Sequence, residues 1–499
     1  MKLPRNYSNS ISFIGTIIAA ISLLLIIFFF IITFFFGAGG SYLGLFIYII
    51  LPVFLIMGLL LIPIGMWIDI RRTRGDNEIL QRKRLIINFN DRGHRNGFLI
   101  FLMVTTLFLL LTSVGSYEAF NYTESVEFCS MCHEVMDPEA IAYHNSPHAS
   151  VSCVECHVGP GADWYVRSKL SGLYQVYSVL FNKYPTPIPT PIHDLRPAKE
   201  TCLECHWPEK FYAHKLAYEK HYLADSANTE WNINLRMKIG ASHSSKGLTE
   251  GIHWHINKDI KVEYIASSHD REYIPWVRYV NLVTGDTTIY NDTEDPIDEE
   301  LLATETPRSM DCMDCHNRPS HEFRTPQDFI DLAIAEGRIS TMLPEIKLIT
   351  MEILYEVYPT KDTAMLVIEN RINGFYEENY PVVFAEQKDM IAEAIEGIQT
   401  SFKKNMFPEM KATWDAYPDH IGHIEYNGCF RCHSDTHESD QGTVISKDCD
   451  LCHTILLQGT KNDYEVAKFD ESLEFLHPVD VKDKWKKYVC AECHRYLYE

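Results

Sequence analysis

The 499-residue chain has no cysteine to spare, no balance of positive charge against its acids beyond residue 116, and no small-residue cleavage site between its first two apolar stretches. Each absence excludes something. All fourteen cysteines fall in seven copies of one five-residue pattern, so none is left over for another role. The 67 acids against 45 Lys and Arg give a net charge of −22, and residues 1–116 hold ten of the bases but only four acids, which leaves −28 on the remainder. A surface that acidic excludes nucleic acid as a partner and suits docking to basic patches on other proteins. The first apolar run is longer than the core of a secretory signal, and without a cleavage site it reads as a retained segment.

The repeated pattern is C-x-x-C-H. It occurs at Cys129, Cys132 and His133; Cys153, Cys156 and His157; Cys202, Cys205 and His206; Cys312, Cys315 and His316; Cys429, Cys432 and His433; Cys449, Cys452 and His453; and Cys490, Cys493 and His494. A zinc ribbon pairs two C-x-x-C knuckles without needing a histidine after each, and a thioredoxin-like redox motif occurs once, beside a βαβ pattern. Seven chance histidines have a probability on the order of one in a billion or less, whereas covalent haem attachment demands that spacing. Two thiols form thioethers with the porphyrin and the adjacent histidine reaches the iron from one face. The expectation is seven covalently bound haems c. Mass spectrometry or a pyridine haemochrome assay on protein matured in a competent host should return seven, and six or fewer would sink the count.

Residues 11–36, 43–68 and 97–115 are each apolar enough, and long enough at 1.5 Å per residue, to cross a hydrocarbon core of about 30 Å. The loop 69–96 carries eight Lys and Arg against four acids, while the GAGGS connection between the first two stretches has no charge, so this loop and the N-terminus are expected in the cytoplasm. Residues 117–499 then lie outside, where c-type haem is attached. The fold expected is a membrane-anchored multihaem cytochrome c: three N-terminal transmembrane helices in a bacterial inner membrane, and a mainly α, haem-packed periplasmic domain with a β-rich insertion. Its parts are a membrane anchor (1–116), the first three motifs (117–206), the insertion (207–307), the fourth motif (308–325), a helical region (326–415) and a C-terminal trihaem module (416–499). Within the insertion, IKVEYIASSHDREYIPWVRYVNLVTGDTTIYN has strand composition with a turn at TGD. Stretches such as PEIKLITMEILYEVY and FAEQKDMIAEAIEGIQTSFKKNMF predict about four helices in 326–415, with Met and aromatic positions as packing core.

The anchor, the spacing of the first two motifs, SPHASVSCVECH and CMDCHNRPSH together resemble the NapC/NirT family of membrane-anchored tetrahaem quinol dehydrogenases, over about 117–206 and 308–321. The three spans, the insertion and three further motifs make the whole chain similar to the long heptahaem inner-membrane cytochromes of bacteria that respire extracellular acceptors. The resemblance implies that His148, five residues before Cys153, is the distal ligand of the fourth haem, and that His321, five residues after His316, is that of the second. It also implies a methionine ligand near the first motif, but Met136 is three residues beyond His133 where the family has two, so either His133 or Met136 binds that iron. The family places a lysine and an aspartate beside its quinol. Asp163, Arg167 and Lys169 offer themselves here on a segment (163–181) with the composition of an interfacial helix, although Ser171 stands at the usual aspartate position.

For the third haem the insertion offers His214, His221, His243, His253, His255 and His269, of which His253 and His255 would share one strand face. For the last three, His423, His437 and His477 are the expected distal ligands, with His420 as a spare. The function expected is oxidation of menaquinol or ubiquinol at the periplasmic face, as a quinol dehydrogenase, with electrons passed to periplasmic c-type cytochromes or a terminal reductase. The quinol pool and the lipid bilayer are then partners. Two rivals are a passive relay subunit without its own quinol site and a terminal reductase of small oxyanions.

Overall fold

In a computed structural model of the chain, residues 9–36, 50–73, 89–90, 92–159, 162–190, 196–207, 212–240 and 251–498 are described. They fall into two compact units, Met1–His133 and Glu134–Glu499.

The first unit is built from apolar helices. α1 (Ser10–Phe36) and α2 (Leu51–Thr73) lie against each other through small residues. A Cβ on Gly15 would meet the Gly58 carbonyl at 2.7 Å, and one on Gly58 would meet the Ala19 amide at 2.6 Å. Backbones approach this closely only where side chains are absent, a device typical of helices packed in lipid. The fully buried Ser12 donates its hydroxyl to the Ile62 carbonyl across the contact at 2.9 Å. Outward, Phe13, Leu24 and Val53 are exposed and apolar.

Among the described residues two helices, not the three expected, are long and apolar enough to cross a membrane, over Ser10–Phe29 and Leu51–Asp69. The third expected stretch, 97–115, lies inside α3 (Arg92–Tyr122), one continuous 31-residue helix. Many of its side chains are outside the described residues, as is most of the basic loop 69–96.

The second unit opens with α4 (His133–His144), which begins at the last residue of the first unit, and α5 (Ala162–Leu180). Strands follow earlier than expected. β1 (His214–Tyr222) and β2 (Glu230–Lys238) occupy the first half of the insertion, and β3 (Ile260–Ile265), β4 (Trp276–Asn281) and β5 (Thr287–Asp292) the second, with β6 (Arg308–Ser309) before the fourth motif. The turn at TGD joins β4 to β5. Gly285 takes φ +81°, and the Asn281 side chain accepts from the amides of Val283 and Thr284.

Where about four helices were expected in 326–415 there are five: α6 (Pro326–Ala335), α7 (Ile346–Leu354), α8 (Lys361–Asn379), α9 (Pro381–Glu386) and α10 (Lys388–Asn405). Ala364, Ile368, Ile372 and Tyr376 form an i, i+4 stripe on α8 that is wholly buried against Ile330, Leu343, Ile346, Ile398 and Phe402. Thr325 and Thr360 cap α6 and α8 by accepting from the amides of Asp328 and Thr363. Met351 and the aromatic positions are core, as expected.

Strands of the C-terminal part pair with those of the insertion. β7 (His437–Ser439) pairs with β5 to complete a five-stranded antiparallel sheet, β6-β3-β4-β5-β7. β8 (His453–Thr460) and β9 (Tyr464–Val466) continue the other sheet, in the order β1-β2-β8-β9. Both sheets of the insertion are therefore finished by strands that begin about 150 to 220 residues further on, which periodicity cannot foresee.

Candidate haem centres

Six of the seven motif histidines each face one histidine from outside the motifs. The ring centres are 6.1 Å apart for His157 and His321, 6.1 Å for His206 and His148, and 6.3 Å for His316 and His253. They are 6.0 Å apart for His433 and His255, 6.3 Å for His453 and His423, and 5.9 Å for His494 and His477. A ligating nitrogen lies about 1 Å from its ring centre, so such pairs leave about 4 Å between facing nitrogens, room for one metal ion at the roughly 2 Å of a metal–imidazole bond.

The outer nitrogens are held. Nδ1 of His148 donates to the Pro319 carbonyl at 3.1 Å, that of His253 to Ile239 at 2.7 Å, that of His255 to Ile252 at 2.8 Å and that of His477 to Val479 at 2.7 Å. On the motif side, His433 donates to Ser446 at 2.9 Å. A proton fixed on Nδ1 leaves Nε2 unprotonated, the tautomer an iron ligand requires. Burial first, and then the imidazole of His453, holds His423 down to about 4, so it too is neutral. The residues present fit haem iron with two axial imidazoles at six sites.

Two expectations are corrected. His148 stands opposite the third motif histidine, His206, and not opposite the fourth. His253 and His255 do not share a strand face. They sit in a 3₁₀ turn (Ile252–Ile256), where residues two apart point to different sides, and each serves a different motif, the fourth and the fifth. The turn starts at Gly251, φ +81°, where a Cβ would meet the Lys238 carbonyl at 2.6 Å.

His437 is corrected as well. It is buried in β7, its Nε2 donates to the Ile274 carbonyl at 2.7 Å, and the nearby motif histidine, His433, is faced by His255 instead. The spare, His420, is structural: Nε2 donates to the Asp270 carbonyl at 3.0 Å and Nδ1 accepts from Arg431 at 3.1 Å. Burial and then Arg431 hold it down to about 3. His214 is exposed at the start of β1, and His221 lies 3.4 Å from Asp331. His243 is outside the described residues, as is the side chain of His133; Met136 is half-buried, one turn on along α4.

Thiols of successive motifs lie within electrostatic reach of one another in chain order. Cys156 feels Cys205, Cys202 faces Cys312, Cys315 feels Cys429, Cys429 faces Cys452, and Cys490 feels Cys449. Each of motifs two to six thus neighbours the next.

One residue inside a motif was missed by sequence reasoning. Asp314, between the two cysteines of CMDCH, is wholly buried. It accepts from the Tyr264 hydroxyl at 2.5 Å, Arg308 Nε at 2.6 Å, Arg271 at 3.1 Å and the Asp311 amide at 2.7 Å. Its partners are brought together by β3 and β6, and their spacing along the chain carries no signal.

The expected quinol-site residues share α5 but not one face. Arg167 is exposed with its guanidinium 5.3 Å from the Trp164 ring centre, and half-buried Lys169 lies 5.1 Å from that of Tyr165. Asp163, whose side chain is outside the described residues, is four positions before Arg167 and on its face, whereas Lys169, two positions after it, points elsewhere. Val166, Leu170, Leu173, Tyr174, Tyr177 and Leu180 make a continuous exposed apolar stripe along the helix, with Leu170 at 62% and Tyr174 at 65%.

The NapC/NirT cytochrome c family, N-terminal region, matches residues 92–188. Cytochrome c-type protein ImcH of Geobacter sulfurreducens is 43% identical over 491 residues, 97% of this chain and 95% of that protein. Cytochrome c-type protein NrfH of Wolinella succinogenes is 24% identical over 182 residues, 35% of this chain and 90% of that protein. No solved structure matches. A relative this similar along nearly its whole length, a family match over the first motifs and an apolar helical anchor agree with the histidine geometry: the chain belongs to the NapC/NirT cytochrome c family, and is a membrane-anchored multihaem c-type cytochrome that transfers electrons.

Proposed function

We propose that the protein oxidises quinol at the periplasmic face of a bacterial inner membrane and passes the electrons to a periplasmic cytochrome or reductase, using seven haems and a three-helix anchor that includes 97–115. The observation that carries this reading is the succession of neighbouring motifs two to seven, each with its own pair of imidazoles. Covalently bound haem supplies one-electron redox chemistry at a potential set by its ligands and their surroundings. The chain's own part is to hold each ring with two cysteines, to present an imidazole nitrogen on both sides, and, at His148, His253, His255, His433 and His477, to fix Nδ1 on a carbonyl so that the ligand does not turn.

The exposed stripe of α5 supports membrane contact beside the first motifs. A contiguous apolar face of this length suits the headgroup boundary better than water. Quinol oxidation releases two protons and two electrons, so a proton acceptor is required, and Asp163 on the face it shares with Arg167 is the residue assigned to it. Residues 117–499, with their acidic surface, then lie outside the cytoplasm.

The test is reduction of the purified, detergent-solubilised and fully haem-loaded chain by a reduced quinone analogue with no other subunit present. Reduction should be complete, and Asp163→Asn should slow it at least tenfold while leaving reduction by dithionite unchanged. No reduction by the analogue would replace this reading with the passive relay.

A further inference from the structure

Four of the non-motif imidazoles, His148, His253, His255 and His477, place a neutral backbone carbonyl at Nδ1. His321 differs. Its Nδ1 lies 3.0 Å from a carboxylate oxygen of Glu139 as well as 3.1 Å from that residue's own carbonyl. The carboxylate is fixed from behind by Arg318, whose Nη2 reaches its two oxygens at 3.3 and 3.4 Å. Arg318 is itself held, with a side chain 7% exposed and a guanidinium 4.7 Å from the Phe323 ring centre and 4.4 Å from that of Tyr417. Glu139 on α4 and His321 after the fourth motif are 182 residues apart, so this contact is made by the fold alone.

A carbonyl acceptor orients an imidazole. A carboxylate also draws the Nδ1 proton toward itself, which raises the electron density at Nε2 and the basicity of the ligand, and so favours oxidised over reduced iron. We propose that Glu139 is a positioning residue that lowers the reduction potential of the second haem through His321, below the value a carbonyl acceptor would give. The inference rests on the reading of His321 as the ligand opposite His157.

The experiment is potentiometric titration of the full, haem-loaded protein followed by electron paramagnetic resonance. Glu139→Gln should raise one midpoint potential, that of the second haem, and leave its low-spin signal and the haem content intact. Arg318→Gln, which leaves the carboxylate without its counter-charge, should move the same midpoint down. A purely structural disturbance has no reason to move the two variants in opposite directions. His321→Ala identifies the haem, because it converts the same signal from low to high spin. Unchanged midpoints in Glu139→Gln, or shifts of the same sign in both variants, overturn the proposal. A low-spin spectrum unaltered by His321→Ala instead overturns the ligand reading beneath it.

Discussion

His148→Ala opens the iron at the third motif and not at the fourth. The substitution removes the imidazole 6.1 Å from His206, while the fourth motif histidine is faced by His253 at 6.3 Å. A haem left with one imidazole goes from low to high spin, so one of the low-spin signals should be lost completely. The two assignments separate in a variant that lacks the fourth attachment, Cys312→Ser with Cys315→Ser. There the high-spin signal produced by His148→Ala should persist. If it disappears together with the fourth haem, His148 belongs to the fourth motif after all and the pairing given by the fold is wrong.

The second large effect is on stability. Asp314 is a buried carboxylate that joins Tyr264, Arg308, Arg271 and the Asp311 amide. Asp314→Ala leaves Arg271 and the buried Tyr264 hydroxyl without this carboxylate and Arg308 with Asp311 alone, a change that costs about 3–5 kcal/mol when one member of a buried charge cluster is removed. Urea unfolding of the haem-loaded protein should show a lower midpoint with an unchanged slope. A loss under about 1 kcal/mol would mean that water replaces the carboxylate and that the cluster is not closed.

Much of this was legible in the chain. Motif spacing is local, because both cysteines and the histidine must meet one porphyrin, so all seven C-x-x-C-H motifs are legible in the chain. The histidines opposite them were all among the candidates, but only His321 was assigned to the motif it faces. A lone histidine says nothing of its partner when the chain between them folds into sheets. His253 and His255 looked like neighbours on a strand because Trp254 and the isoleucines around them have strand propensity, and Gly251 turned the segment into a 3₁₀ coil instead. His437 had the right sequence distance from its motif and yet donates to a carbonyl in the sheet. Asp314 and Glu139 gave no sign, because the contacts that bury them include residues 50 and 182 positions away.

The strand β8 has a consequence for how the molecule is made. β2 pairs with β1 at once, as its chain neighbour, but its other edge stays open until residues 453–460 have been made more than 200 residues later. On the proposed orientation an unpaired edge strand faces the periplasm during that interval, and the second to fifth motifs receive their haems in a chain whose sheet is unfinished. Maturation therefore proceeds from the membrane outward while closure waits for the tail, so a chain cut short before residue 453 loses two haem sites and also exposes a strand edge that invites aggregation.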